Sequence, residues 1–166
     1  MDLIVRDARP EDAALIVKIF NPIISAGLHT VFDRPFTEDD ERRYIEALPP
    51  RGIFHVAVRV SDGAILGFQS MEPFATYTGS FDHVGVIGTY VDANHRGQGV
   101  AQTLFDATFA AARRKGYEKL FTYIRSDNPA ALAAYGKQGF RVVGIAERHA
   151  KVEGRYIDEV IVERFL

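Results

Sequence analysis

The sequence has 166 residues, of which 47% are hydrophobic and 25% are charged, and its formal net charge is −2. A chain of this size and composition is typical of one folded domain and is unlike disordered, collagen-like or membrane-spanning chains. The absence of cysteine excludes a disulfide scaffold, a thiolate zinc site, an iron–sulfur cluster and a catalytic cysteine.

Charge is unevenly distributed along the chain. Residues 1–83 carry 8 basic and 13 acidic side chains, whereas residues 84–166 carry 12 basic and 9 acidic ones. A mildly positive half suits a small anionic ligand better than a nucleic acid, which usually requires a dense basic stripe. Residues 1–7 do not resemble a secretory signal, and no apolar stretch approaches the roughly 20 residues that span a bilayer. We therefore expect a cytoplasmic protein with neither a nucleic-acid nor a membrane partner.

The first quarter of the chain predicts a short strand and two helices. Leu3–Val5 is apolar, and Pro10 suits the first turn of a helix that follows it. The dipeptide Asn21-Pro22 predicts a break or a kink in this helix. Thr37 precedes an acidic first turn, so it predicts the N-cap of a second helix that runs to about residue 48.

The middle of the chain has the pattern of strands. Alternation over residues 53–60 and 64–71, with the turn signal Ser61-Asp62-Gly63 between them, predicts a hairpin. Residues 84–91 are rich in β-branched side chains and predict a further strand.

The second half alternates between helices and strands. We predict a helix over 99–115, a strand over 120–124, a helix from the N-cap Asn128 to Lys137, and strands over 140–145 and 156–165. This order predicts one domain, residues 1–166, of the α/β (α+β) class, with a mixed sheet of about seven strands and about four helices. The five histidines are widely spaced, so we expect no metal site.

The segment from Tyr90 to Ala101 predicts an anion-binding turn. A strand ends there, a polar loop follows, and a helix begins beside Gly97 and Gly99. The first amides of a helix lack internal partners and bind anions, and glycine lets the backbone approach a phosphate closely. Arg96 adds a cation, so a diphosphate-bearing cofactor is the natural ligand. A glycine-rich turn without a ligand is the alternative.

Two motifs in this half resemble those of the GNAT superfamily of N-acetyltransferases. Arg96, Gly99 and Ala101 match its (Arg/Gln)-x-x-Gly-x-(Gly/Ala) signature. The stretch from Asn128 to Tyr135, with the Gly-Phe pair at 139–140, is similar to the family's Asn-x-x-Ala-x-x-x-Tyr…Gly-Phe pattern. The third glycine of the dinucleotide fingerprint is missing, and no Walker loop is present. The resemblance extends over nearly the whole chain, and it is greatest to the phosphinothricin and amino-acid acetyltransferase branch.

The resemblance implies that acetyl-CoA is the acetyl donor and lies where two parallel strands, 84–91 and 120–124, splay apart. In the family, backbone amides hold the diphosphate, the strand edge pairs with the pantetheine arm, and a main-chain N–H faces the acetyl carbonyl. The positions that correspond to these roles are Tyr90, Val91, Arg96, Gly97, Gln98, Gly99, Val100, Ala101 and Asn128. Asn128 is equally suited to be a plain N-cap.

The resemblance also implies that Tyr135 is the acid that protonates the departing thiolate, although a core aromatic residue is the alternative. In the phosphinothricin branch the general base is a glutamate on the fourth strand, but the matching position here is Val86. The base is therefore left open among Glu72, His83, Asp82 and a water relay.

The acceptor is less defined than the donor. The branch places basic residues between its third and fourth strands, but residues 71–81 contain neither Lys nor Arg. Phe32, Phe74 and Tyr77 are candidates to line the acceptor pocket, or they pack under their own loops. We expect direct transfer to the primary amine of a small molecule in a ternary complex. The alternatives are acetylation of a protein N-terminus or lysine, and a CoA-binding module without catalysis. A homodimer is expected from the resemblance alone.

Overall fold

The computed structural model describes residues 1–166 and contains a single seven-stranded sheet flanked by four helices. In chain order the elements are β1 (Leu3–Asp7), α1 (Ala13–Ala26), α2 (Glu38–Glu46), β2 (Ile53–Arg59), β3 (Ile65–Pro73), β4 (Val84–Val91), α3 (Val100–Arg114), β5 (Lys119–Arg125), α4 (Pro129–Lys137), β6 (Arg141–Val152) and β7 (Arg155–Phe165). The strand order is β1-β2-β3-β4-β5-β7-β6, and only β4 and β5 are parallel neighbours. The predicted mixed sheet of seven strands and four helices is confirmed.

The predicted break at Asn21-Pro22 is wrong. α1 begins after a 3-10 turn and continues through Pro22 to Ala26. Proline inside a helix costs about 3 kcal/mol, but burying one large aliphatic or aromatic side chain contributes about 1.5–3 kcal/mol. Five such side chains are buried along this helix on both sides of the proline: Ile16, Ile19, Phe20, Ile23 and Ile24. Their packing outweighs the local penalty.

Asn21 fastens the loop between α1 and α2. Its side-chain amide donates to the backbone oxygen of Phe36 at 2.9 Å and accepts from the backbone N–H of Phe36 at 2.9 Å. A few residues later, Thr37 accepts from the amide of Asp40, and the Asp40 carboxylate accepts from the amide of Thr37. This capping box begins α2 where the sequence predicts it.

β6 is longer than the sequence predicts. The expected strand over 140–145 extends from Arg141 to Val152, with irregular register after Val142 and after Ala146. β6 is an edge strand that pairs only with β7, so the alternation of apolar residues is not required along its whole length. Residues 146–151 are accordingly mostly polar.

The two faces of the sheet are covered by different helix pairs. α1 and α2 pack with Phe54 and Phe68 in one cluster of buried apolar residues. α3 and α4 share a second cluster that includes Phe105, Leu120 and Tyr135. The sheet is therefore buried on both sides near its centre, where β4 and β5 meet.

β4 and β5 pair over only three residues each. Val84, Gly85 and Val86 are in register with residues 119–121, and the two strands then separate. The backbone groups of β4 that face β5 beyond Val86 consequently have no strand partner. The predicted splay of these strands is confirmed, and it opens the sheet at its centre. No helix of the protein combines the length and the apolar character that crossing a bilayer requires.

Glu41 is a buried carboxylate on α2 that lies outside the splay. The residue is 5% exposed, its carboxylate makes neither a hydrogen bond nor an ion pair, and burial raises its pKa from 4.5 to about 7. The folded state thus binds a proton more tightly than the unfolded state does. Its contribution to the free energy of unfolding is therefore most favourable below the unfolded pKa. This contribution is lost as the pH rises through the folded pKa, because the carboxylate must then be buried with its charge.

We therefore predict that Glu41→Gln raises the free energy of unfolding at about pH 8, with a smaller gain at about pH 5, because the variant has no charge to bury. Urea unfolding at the two pH values measures this difference. Glu46→Gln, at an exposed position of the same helix, is the matched control and should show no pH-dependent gain. Equal effects of the two substitutions would contradict the prediction.

Candidate active site

Two cavities meet where β4 and β5 separate. The large cavity has a volume of about 470 Å³ and lies between β4, α3 and α4. The small cavity, of about 110 Å³, lies between β4, β5, β7 and the loop that follows α1. The residues that line both cavities are His29, Thr89, Tyr90, Asn128, Ala131 and Tyr135. A molecule in the large cavity can therefore reach a second molecule in the small one through the splay.

The N-terminus of α3 forms one wall of the large cavity. Gly97 and Gly99 have φ values of 72° and 86°, a left-handed conformation that favours glycine. Gly99 is the N-cap and no side chain caps it, and the first helical bond is donated by the amide of Thr103. The preceding amides of the first turn have no partner within the protein, so they are available to an anion.

The charges around this wall also favour an anion. The first turn of α3 contains no acidic residue, and the exposed Arg96 stands beside it at the rim of the cavity.

Eight of the nine residues expected to hold the donor line the large cavity: Tyr90, Val91, Arg96, Gly97, Gly99, Val100, Ala101 and Asn128. Gln98 does not line it, because its side chain donates to the backbone oxygen of Asn94. Asn128 also caps α4 by accepting from the amide of Ala131.

Tyr135 lies at the junction of the two cavities. It is 6% exposed, and its hydroxyl is 3.0 Å from Oγ1 of Thr89. Burial raises the pKa of Tyr135, and the hydrogen bond with Thr89 offsets part of this effect. Gln69 donates from Nε2 to the same threonine oxygen at 2.8 Å. A chain of three polar groups thus leads from the interior of the sheet to the tyrosine hydroxyl.

This chain is one end of a polar row across the sheet. Asp7, His55, Gln69 and Thr89 are successive register partners on β1 to β4. His55 is 2.8 Å from the hydroxyl of Thr108 on α3, and burial lowers its pKa. Gln69 is fully buried, and its Oε1 has no partner. The row holds the Thr89 hydroxyl, and with it Tyr135, at a fixed depth in the sheet.

Arg125 closes the small cavity at the open end of the splay. Only 3% of this residue is exposed, and its Nη1 donates to the backbone oxygens of Gly27 and Thr30 at 2.8 and 3.0 Å. Its Nε and Nη2 donate to both carboxylate oxygens of Asp127 at 2.8 and 2.7 Å. The arginine therefore holds the loop after α1 over the gap between the strands.

Glu159 on β7 also lines the small cavity, which contains no other Asp or Glu. It is 6% exposed and forms no hydrogen bond and no ion pair within the protein. Burial raises its pKa, while nearby His149 and Arg125 act in the opposite direction. His29, at the boundary of the two cavities, has a pKa lowered by burial and by the cations Arg96 and Arg125.

The structure does not bring together the three aromatic residues that were predicted to line the acceptor pocket. Phe32 lines the small cavity and packs edge-on against Phe20. Phe74 packs against Phe81 and Phe121 instead, outside both cavities. Tyr77 is 80% exposed. Of the three aromatic residues, only Phe32 is placed to contact an acceptor.

The three side chains considered as the base, Glu72, His83 and Asp82, also lie outside both cavities. Glu72 is in register with Val86, at the closed end of the splay. The exposed His83 precedes β4, and its backbone oxygen accepts from the amides of Glu118 and Lys119. A base role for any of the three stays a prediction, and their positions do not favour it.

Sequence reasoning missed five polar residues of the site: His29, Gln69, Thr89, Arg125 and Glu159. A signal existed for Gln69 and Glu159, because each is a polar residue at the buried face of a strand that is otherwise mostly apolar. No group of three or more His, Asp or Glu side chains is arranged to hold a metal ion.

The sequence that forms this site is similar to those of known acetyltransferases. Residues 22–140 match the acetyltransferase (GNAT) family. The chain belongs to this family. A GNAT protein of Salmonella typhimurium, L-methionine sulfoximine/L-methionine sulfone acetyltransferase, is 27% identical over 157 residues, which are 93% of this chain and 89% of the relative. A Bacillus subtilis protein provisionally named a phosphinothricin acetyltransferase is 25% identical over 162 residues, 98% of each chain.

A solved GNAT structure has the same fold as this chain. It is the phosphinothricin acetyltransferase of Sinorhizobium meliloti in complex with acetyl-CoA, with a TM-score of 0.90. The sequences are 21% identical, and the match covers 100% of this chain and 89% of the other. The likeness therefore concerns the fold, which supports the seven-stranded GNAT architecture described above.

We predict that Thr89→Val lowers the free energy of unfolding by about 1–3 kcal/mol, because the fully buried Gln69 amide loses its acceptor. Urea unfolding measures the loss. Thr122→Val is the control, since Thr122 is a buried threonine on β5 whose hydroxyl makes no hydrogen bond. If both substitutions change stability equally, the polar chain does not stabilise the site.

Proposed function

We propose that the protein transfers the acetyl group of acetyl-CoA to the primary amine of a small, amino acid-like molecule. The observation that carries the proposal is the pair of cavities that meet at Tyr135 through the splay of β4 and β5. Membership of the GNAT family supports the reaction type. The Salmonella relative, named for two modified amino acids, supports a small acceptor.

The residues of the large cavity fit acetyl-CoA. The free amides at the start of α3 and the guanidinium of Arg96 suit its diphosphate, and Gly97 and Gly99 leave the backbone accessible. The unpaired edge of β4 beyond Val86 suits an extended arm with amide groups, which would pair with it as an added strand. Bound acetyl-CoA supplies a reactive thioester, and the protein positions it against the acceptor.

Tyr135 is suited to protonate the departing sulfur. If Gln69 donates to Thr89 and Thr89 donates to Tyr135, the phenolic proton is left to point into the cavities. A phenol of raised pKa holds its proton at neutral pH and can give it to a thiolate. The polar chain thus orients the donor and stabilises the phenolate that forms.

The small cavity favours a small acceptor over a protein segment. Its volume of about 110 Å³ admits a compact group, and the loop held by Arg125 covers it. A homodimer remains part of the proposal, supported by the edge strand β6, on which Val142, Val143 and Ile145 are 61%, 53% and 61% exposed.

An amine panel with acetyl-CoA and a free-thiol assay tests the function. The panel contains L-methionine sulfone, phosphinothricin, tyramine and an alanine-terminated peptide. We expect thiol release with at least one small amine, and Tyr135→Phe should lower it by about 100-fold or more while acetyl-CoA binding is retained. Release with the peptide alone would favour a protein acetyltransferase. Acetyl-CoA binding without release on any amine would favour a binding module.

We predict that Gly99→Ala weakens acetyl-CoA binding by about tenfold or more, because a side chain at a left-handed N-cap disturbs the amides of α3. Calorimetric titration with acetyl-CoA measures the change. Gly154→Ala is the matched control: Gly154 also has a positive φ of 79° and open space around it, but it lies in the β6–β7 turn. Equal binding by the two variants would contradict a role for this turn.

A further inference from the structure

We propose that Glu159 receives the acceptor: its carboxylate binds the ammonium group and takes the proton that must leave before the nitrogen can attack. This inference rests on the proposed function and specifies its missing base. It places the base on β7, a strand that contains none of the bases considered from the sequence.

The position of Glu159 is the first argument. It is the register partner of Arg125 across β5 and β7, at the level where β4 and β5 have separated. It lines the small cavity together with Thr89 and Tyr135. An acceptor in this cavity would therefore have both the carboxylate and the tyrosine residue among its neighbours.

The lack of any partner is the second argument. The residue is 6% exposed, and no hydrogen bond or ion pair joins its carboxylate to another protein group, although the carboxylate oxygens are not fully sealed from solvent. Burying a charge is costly unless it is paired, and buried acids in proteins are nearly always paired. The other buried acid on this strand, Glu163, illustrates the rule, because it forms ion pairs with Lys119 and Arg141. Glu41 on α2 also lacks a partner, but it lines neither cavity, whereas Glu159 faces a space in which a cationic ligand would supply the missing partner.

The neighbouring charged and titratable groups leave Glu159 available. Arg125 on β5 directs four of its N–H groups to Asp127, Gly27 and Thr30. His149 on β6 is stacked on Tyr123 at 5.6 Å between ring centroids. His29 in the loop has a lowered pKa and is neutral above it, and Tyr135 on α4 is a phenol of raised pKa. None of these groups is bonded to Glu159, although Arg125 and His149 moderate the rise of its pKa.

The proton balance of the transfer is complete with these two residues. The acceptor ammonium loses one proton to Glu159, as an N–H bond breaks and an O–H bond forms. The amine nitrogen then bonds to the acetyl carbon, the C–S bond breaks, and Tyr135 gives its proton to sulfur. The second proton that leaves nitrogen restores Tyr135, and Glu159 releases its own proton to solvent. No oxidant, reductant or further reactant is needed.

The pH dependence of Glu159→Gln tests the base. The probe is whichever of L-methionine sulfone and tyramine the wild-type enzyme acetylates faster. We expect kcat/KM at neutral pH to fall by about 100-fold or more. We also expect the alkaline plateau of the wild type to be replaced by a rise of about tenfold per pH unit, since only amine that is already neutral reacts. A loss of folding alone would not produce this slope.

Glu72→Gln is the competing variant, and we expect it to keep the wild-type plateau. If Glu159→Gln keeps the plateau and a rate within about threefold of wild type, the inference is overturned. It is equally overturned if Glu72→Gln loses the plateau and Glu159→Gln does not.

A second measurement uses the protein without acetyl-CoA. Infrared difference spectra between acidic and alkaline solutions should contain a carboxylic acid band that is absent in Glu159→Gln; Glu41→Gln serves as the background, since Glu41 is a second buried acid. Methylammonium should shift the titration of the Glu159 band to lower pH. Tetramethylammonium, which has the same charge and no N–H donor, should not.

The two measurements separate the inference from the function on which it rests. If no amine is acetylated but methylammonium shifts the band, the acetyl-transfer proposal fails and the ammonium site stands. If amines are acetylated but neither the pH profile nor the band responds as expected, the function stands. Glu159 then neither binds the ammonium group nor acts as the base.

Discussion

Hydrogen bonding between β4 and β5 ends after Val86, and the geometry of the site depends on this interruption. A continuous parallel ladder would satisfy the backbone of both strands and would leave no room at the centre of the sheet. The interruption leaves polar backbone groups without strand partners, so the gap must be stabilised from its sides. The hydrogen bond between Thr89 and Tyr135 does this from α4, and Arg125 does it from β5 by holding the loop after α1.

The polar side chains around the gap are balanced in different ways. Gln69 donates to the Thr89 hydroxyl, which in turn is hydrogen-bonded to Tyr135 and orients its phenol, while Oε1 of Gln69 is left without a partner. Arg125 directs four of its five N–H groups to protein oxygens, so its role is structural although it lines a cavity. Glu159 is the one carboxylate that lines the small cavity, and no protein group pairs with it. This contrast between satisfied and unsatisfied groups distinguishes the side chains that support the site from the one that is free to act.

Local signals in the sequence predicted the parts of the fold that local interactions determine. Thr37 and Asn128 are caps whose partners lie three residues away, and both helices begin where expected. The turn before α3 could also be predicted, because its glycines and the strand and helix that flank it lie within a dozen residues. The break predicted at Pro22 is wrong because the packing of α1 against the sheet, which local sequence does not indicate, outweighs the cost of the proline. Glu159 could not be placed, since its surroundings come from strands and loops that are far away in sequence.

The walls of the two cavities come from separate parts of the chain. The large cavity is bounded by the first turn of α3 and by α4, whereas the small one takes its distinct residues from β5, β7 and the loop after α1. Under the proposed function, substitutions in that loop or on β7 alter the choice of acceptor while the residues that would hold the donor remain intact. Such a division lets the specificity for the acceptor change during evolution while the specificity for the donor is conserved. Tyr135 lines both cavities, so a substitution there would affect both.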